Sequence, residues 1–209
     1  DVNAELGLDA SQNDVRPGRK SNGSATRYRH YSELLAQDDI DAVIVATPDH
    51  WHSRITIDAA KAGKHVYCEK GLTRTFQQAL DVYDTIKETG MILQLGHQNR
   101  QVEANDKAKR IIDQGLLGPI NLVELTTNRN SPWGAWVWTI HKDGNNKTID
   151  WDMFQEPSPN KIPFGAEALK RMFRWPCWYD YGPGLSGDLF SHAYESLNQI
   201  LAMALQRYS

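Results

Sequence analysis

Much that would identify a protein class is missing from these 209 residues, and each absence excludes something. Only two cysteines are present, Cys68 and Cys177, too few for a disulfide framework and compatible with a reducing compartment. No apolar run approaches the roughly 18 residues that a membrane-crossing helix needs, so no membrane partner is expected. Lys and Arg number 23 against 26 Asp and Glu, for a net charge of −3 and a pI of about 6.2. That balance lacks the basic surface by which nucleic-acid binders hold phosphates, so no nucleic-acid partner is expected. A Gly-x-Gly-x-x-Gly turn is also absent; Gly7, Gly18 and Gly23 have the wrong spacing. There is no signal peptide at Asp1, which says little if the natural start lies further upstream.

What is present is organised around residues 41–72. Ala42 to Ala46 is a continuous apolar, largely β-branched run, the pattern of a parallel strand covered on both faces. Pro48 ends it, since proline cannot donate to a ladder. A helix is expected over His52 to Lys61, with Ile55, Ala59 and Ala62 on one face and Gly63 as its stop. His65 to Cys68 then forms a second strand ending in Glu69-Lys70. In open parallel sheets, ligands bind beyond the carboxyl ends of the strands. Those ends carry Thr47-Pro48-Asp49-His50 and Glu69-Lys70.

Upstream, residues 9–26 read as an exposed polar loop. Tyr31 to Ala36 reads as a short helix with Ser32 as N-cap. Downstream, Thr75 to Thr89 is amphipathic, with Phe76, Ala79, Leu80, Tyr83 and Ile86 sharing the expected inward face and Gly90 ending it. Met91 to Leu95 is a third buried strand, leading to Gly96-His97-Gln98-Asn99-Arg100. Val102 to Gln114 is a helix with Ala104, Ala108, Ile111 and Ile112 expected inward. Gly118-Pro119 marks a domain boundary. Ile120 to Thr127 alternates apolar and polar residues, as a strand of a second sheet would. Residues 128–178 have little period and many aromatics; most are expected to fill core or interface, with stacking on sugar rings as the alternative. Leu185 to about Ala204 is a helix on which Asp188 and His192, four residues apart, share a face.

Ala46-Thr47-Pro48-Asp49-His50-Trp51-His52, with Gly63-Lys64-His65-Val66 and Cys68-Glu69-Lys70 following, resembles the glucose–fructose oxidoreductase / inositol dehydrogenase family, Gfo/Idh/MocA. The family usually reads Glu-Lys-Pro where this chain reads Glu69-Lys70-Gly71, a change that restores backbone freedom after the lysine. The resemblance runs through most of the chain after Asp39. It implies an α/β fold: a Rossmann-type parallel sheet over residues 1–118, followed over 119–209 by the start of an α+β domain with a mostly antiparallel sheet. The first βαβ segment, on the order of 30 residues, is expected upstream of Asp1, and further strands beyond Ser209.

The resemblance also implies an NAD(P)-dependent dehydrogenase acting on a secondary hydroxyl of a sugar, cyclitol or sugar derivative. Lys70 would be the proton-relay residue, His192 the acid/base at the hydroxyl and Asp188 an orienting contact. Thr47, Pro48, His50, His52, Glu69, Lys70, Gln98 and Arg100 would line the cofactor groove. Asp1 has two readings, the ribose-binding acid that favours NAD over NADP and an ordinary surface acid. Arg174, Trp178 and Tyr179 are the substrate-side candidates. Asp188 and His192 have no third ligand at helical spacing, so no metal is expected. Two other functions stay open. One is a glycosidase of the same fold that works by transient oxidation and elimination; the other is a non-catalytic binding member. By analogy the second domain's sheet forms a homo-oligomer. The compartment expected is the cytoplasm, or the periplasm if an export signal precedes Asp1.

Overall fold

A computed structural model describes residues 26–126 and 132–202. Asp1 and the 9–25 part of the polar loop lie outside the described residues. Three short strands, the first an apolar, largely β-branched run and the others alternating, form one parallel sheet: β1 (Ala42–Val45), β2 (His65–Glu69) and β3 (Leu93–Gly96), in the order β1-β2-β3. The register sets Val43 beside Val66 and Val45 beside Cys68. Val66 in turn lies beside Leu93, and Cys68 beside Leu95. One face of the sheet is therefore an unbroken apolar layer, whereas the other is not covered as expected: Ile44 of β1 and Gln94 of β3 are exposed on it, because no described helix packs over them.

Helices connect the strands. α1 (Tyr31–Leu35) precedes β1, α2 (Asp49–Lys61) joins β1 to β2, and α3 (Phe76–Thr89) joins β2 to β3. α1 is capped by His30, whose ring nitrogen accepts the Ser32 N–H, and not by Ser32 as expected. α2 starts at Asp49, three residues earlier than the sequence pattern suggests, because Pro48 supplies a preset φ of −58° at the cap. Its Trp51, Ile55 and Ala59 pack on Val45, Val66 and Cys68 to form the first core. Ala62 is exposed at the helix end.

α3 starts one residue later than expected, because Thr75 caps it and accepts the Gln78 N–H, and it is closed as expected by Gly90, at a left-handed φ of 69°. Its inward face differs from expectation. Val82 and Thr85 are buried against α2, while Phe76, Leu80 and Tyr83 are exposed. The apolar stripe is there, but the contact with α2 uses the neighbouring face. In α4 (Glu103–Asp113) no residue is buried, and Ala104 and Ile111 of the expected face are exposed. Asn105 and Asp106 instead meet Gln199 of α7 (Ser191–Leu201).

Residues 120–126 form no strand, and Leu122 and Val123 are exposed. A strand needs a neighbour for its N–H and C=O groups, and none stands beside this segment among the described residues. The antiparallel sheet expected after residue 119 is likewise absent there. That half carries α5 (Trp151–Phe154), α6 (Ala166–Phe173) and α7. Ile149, Trp151, Ala168, Met172 and Tyr181 form its core. Among the described residues no helix is long and apolar enough to cross a membrane.

The two cores meet at one carbonyl. His50 Nε2 lies 2.6 Å from the Phe154 oxygen, and the Trp51 indole N–H donates to it at 3.1 Å. The His50 amide also donates to Tyr181 O at 3.1 Å. Arg29 pairs with Asp150 at 2.6 Å and Arg54 with Glu156 at 2.8 Å around this seam.

Two predictions follow from this packing. Ile55→Ala should lower stability in urea unfolding by about 2–5 kcal/mol, because it hollows the first core. His50 gives a pH signature. Burial pushes its imidazole from 6.5 down to about 4, so the folded protein resists protonating it. Its contribution is complete above pH 6.5 and is lost as the pH falls toward 4. His50→Gln keeps a donor toward Phe154 and removes the titration. Stability measured as wild type minus variant should therefore fall with acidification over that window, at up to about 1.4 kcal/mol per pH unit. A flat difference would show that His50 is not buried as a neutral ring.

Candidate active site

The carboxyl ends of β1, β2 and β3 point the same way, and the residues just beyond them gather into one cluster. Lys70 leaves the tip of β2 with its side chain 18 % exposed, and its ammonium donates to Asp188, which is 8 % exposed. These residues are 118 apart in sequence. Asp188 sits on a π-helical turn, Ser186–Phe190, which runs into α7. The expected single helix from Leu185 is thus widened by one turn that holds more residues than an α turn, and Asp188 is buried there. The local sequence explains the close fit. A Cβ on Gly187 would stand 2.3 Å from Pro183, so only glycine lets the turn fold down on this proline. Pro183 also packs on Gly71, where a Cβ would meet its ring at 3.3 Å. The Lys70–Gly71 peptide is cis.

His192 follows on the first turn of α7. Its ring faces that of His97 at 5.8 Å in an edge-on arrangement, and its Nδ1 is buried without a partner. Burial, then the Lys70 charge and His97, hold the His192 imidazole below its ordinary range. Burial also pushes Lys70 down, against the opposing pull of Asp49 and Glu69. The cluster therefore holds an amine and an imidazole that give up protons more readily than in water, with a carboxylate on the amine.

The cofactor-side expectations separate into tip residues and buried ones. Thr47 and Pro48 border an open cavity of about 650 Å³ that Trp51, Phe154, Trp138 and Trp175 also line. The Thr47 hydroxyl is buried with no partner. Glu69 accepts the Tyr67 hydroxyl at 3.2 Å. Gly96 makes room for both, since a Cβ there would lie 2.8 Å from the Tyr67 oxygen and 3.1 Å from the Glu69 carboxylate. Gln98 is exposed on a short 3-10 turn, and Arg100 on the same turn engages Glu195. His50 and His52 are buried beneath the tips at 2 % and 1 % exposure, each with ring nitrogen turned to backbone carbonyls. Asp1 lies outside the described residues. Among the described residues no group of three or more His, Cys, Asp or Glu is placed to hold a metal.

The substrate-side candidates are dispersed. Arg174 donates to Trp138 O at 2.8 Å, and Trp178 lies under the Arg171 guanidinium at 4.4 Å. Tyr179 is exposed, and its carbonyl accepts from Arg74. Three residues in or beside the cluster were not anticipated as site residues. Arg74 is pushed down by burial and resisted by Asp180, Tyr179 and Asp49. His97 stands against His192. Asp49 is buried, and burial raises its carboxyl from 3.8 to about 7 in spite of Lys70, the Gly71 amide and Arg74. His97 could have been found as the strand-tip neighbour of Gln98. Asp49 reads in sequence as a helix-start acid.

Comparison with known proteins agrees with this architecture. Residues 8–97 match the profile described as oxidoreductase family, NAD-binding Rossmann fold. The chain is 34 % identical over 120 residues to levoglucosan dehydrogenase of Pseudarthrobacter phenanthrenivorans, covering 57 % of this chain and 29 % of that protein. It is 39 % identical over 101 residues to scyllo-inositol 2-dehydrogenase (NAD(+)) of Bacillus subtilis, covering 48 % and 30 %. It therefore spans less than a third of the length of either relative. The crystal structure of an oxidoreductase domain protein from Kribbella flavida superposes on 83 % of this chain and 38 % of its own, with a TM-score of 0.53 and 23 % identity. That likeness concerns the fold alone. Over residues 8–97 the chain is thus similar to the Gfo/Idh/MocA oxidoreductases in the part that forms their NAD-binding Rossmann fold.

Proposed function

We propose that this chain forms the nucleotide-side half of the active site of an NAD(P)-dependent oxidoreductase. The reaction moves a hydride between nicotinamide and a secondary hydroxyl of a sugar, cyclitol or sugar derivative. One observation carries the reading: Lys70 at the tip of β2 meets Asp188 beside His192, at the end of the sheet where such folds bind nucleotides.

The residues present suit a nicotinamide cofactor. Thr47 offers an unpartnered buried hydroxyl, Gly96 keeps the third strand tip low, and Pro48, Glu69 and Lys70 stand at the neighbouring tips. Thr47, Pro48, Glu69 and Lys70 would hold its nicotinamide end. When bound, the cofactor supplies the hydride acceptor. The preference for NAD rests on Asp1.

The chain's own residues handle the proton. Oxidation releases one proton from the substrate hydroxyl. The His192 imidazole, kept neutral by burial and the nearby Lys70 charge, can accept it. Lys70 stands near enough to feel His192 electrostatically and passes the proton onward, while Asp188 fixes the direction of the ammonium. In the reverse direction the same groups donate. Burial lowers the Lys70 pKa against the pull of Asp49 and Glu69, so the ammonium can release its proton and the resulting amine can take the one from His192.

In the full-length protein, scyllo-inositol and levoglucosan are the first substrates to try. Their oxidation should accumulate reduced nicotinamide in step with product. Product formed with no net reduced nicotinamide would replace this reading with the transient-oxidation, elimination chemistry of a glycosidase. Lys70→Met should lower kcat by about 10²–10⁴-fold, the usual contribution of a positioned acid/base. Turnover unaffected by that change would remove Lys70 from the mechanism and leave a binding member of the family.

A further inference from the structure

The first turn of α2 lies directly under the Lys70 tip and carries two buried polar side chains that the proposed reaction does not use. His52 Nδ1 is 2.9 Å from Gly71 O, and its Nε2 is 2.6 Å from Thr47 O. Asp49, one turn earlier, places Oδ1 3.7 Å from His52 Nδ1. The Gly71 amide lies near enough to the Asp49 carboxyl to favour its ionised form against burial. Both side chains are almost wholly withdrawn from water, at 3 % and 1 % exposure. A buried carboxyl and a buried imidazole are costly to keep unless each satisfies a specific partner. Here the main partner is one residue, held by its N–H on one side and its C=O on the other.

That residue follows Lys70 directly. Fixing Gly71 at both polar groups fixes the Lys70 carbonyl and Cα, and so the origin from which the ammonium reaches Asp188. The Thr47 contact adds the β1 tip to the same staple. The charged groups facing His52 are Asp49 on its own helix and Glu69 and Lys70 from β2. The chain departs from the family's usual Glu-Lys-Pro at this point. A proline at 71 would have no N–H for Asp49 to accept.

We infer that Asp49 and His52 are positioning residues for Lys70, acting through the backbone of Gly71. The inference rests on the reading of Lys70 as a proton-transfer residue, but it can be tested without turnover.

The test uses the full-length protein, with acetic anhydride as a competitive label for amines. The pH dependence of Lys70 acetylation, followed by mass spectrometry, reports the Lys70 pKa and needs neither cofactor nor substrate. Burial holds that pKa below its ordinary value in the wild type. His52→Gln can still reach the Thr47 carbonyl near the Nε2 position but leaves the Gly71 carbonyl without its ring contact. It should let the ammonium return to water and raise the Lys70 pKa by about one unit, a tenfold change in free amine at a fixed pH. His52→Asn places an amide near the Nδ1 position and should leave the Lys70 pKa close to wild type. Asp49→Asn keeps an oxygen toward the Gly71 amide and Asp49→Ala does not, while both lose the carboxylate's upward pull on Lys70; the Lys70 pKa should therefore be higher in Asp49→Ala than in Asp49→Asn, the second test if His52→Gln fails to fold. Thermal unfolding run alongside separates positioning from simple destabilisation, since both His52 variants lose one buried contact and only one should move Lys70. A Lys70 pKa unchanged in folded His52→Gln, or equal in Asp49→Ala and Asp49→Asn, overturns the inference. A Lys70→Met protein that keeps full turnover overturns the proposed reaction and leaves the labelling result standing.

Discussion

A lysine ammonium and a carboxylate drawn largely out of water, from opposite ends of the described chain, set the terms for the rest of this structure. The Lys70–Asp188 pair has side chains 18 % and 8 % exposed. Removing two charges from water costs several kcal/mol per ion, and mutual attraction repays this only when the geometry is held. A surface pair of the same residues would contribute little and would tolerate misplacement. The partly buried pair does not, because either charge left alone carries an uncompensated desolvation cost. Much of the surrounding architecture is therefore concerned with holding two backbones still.

Asp188 is held by shape. Gly187 allows its turn to settle on Pro183, and the carboxylate is buried on the π-helical turn before α7 begins. Lys70 is held by polar contacts to the peptide after it and by the apolar register of β2 between β1 and β3. The two supports must also keep a constant separation. The Phe154 carbonyl does this, accepting from the first turn of α2 while its own ring packs among Trp151 and Tyr181 of the second core. The site is thus tied at its strand tips and again at the seam below them.

Legibility in the sequence followed the range of the interaction involved. The three strands could be read because parallel strands buried on a face need apolar runs wherever they occur. Gly90 could be read as a helix end because caps are local. Faces of helices were harder. Periodicity marked Phe76, Leu80 and Tyr83 as an apolar stripe, yet α3 meets α2 through Val82 and Thr85. The pattern records that a stripe exists and not which element covers it. Residues 120–126 alternate as a strand would, but alternation is only half of a strand, and the partner lies outside the described residues. In the site, Lys70, Asp188 and His192 were legible as motif residues in the right order. Asp49, His97 and Arg74 were not, because their importance comes from burial and from neighbours many positions away.

The same distinction explains why Gly71 matters more than its lack of a side chain suggests. Read in sequence, glycine after Lys70 loosens a backbone that proline would restrain. Read in the structure, it gains what proline cannot offer, an N–H near the Asp49 carboxyl. Its carbonyl meanwhile faces His52 at 2.9 Å, and Pro183 fills the space a side chain would take. A residue gripped on three sides has little of its intrinsic freedom left. The restraint that proline supplies covalently is supplied here by two buried polar side chains and a wedge from a distant loop. Such a restraint differs from a ring in one respect: it depends on the protonation of an acid and an imidazole that lie within reach of the Lys70 charge. The position of the Lys70 amine and the charge state of its surroundings are therefore one problem in this chain, and the first turn of α2 bears on both.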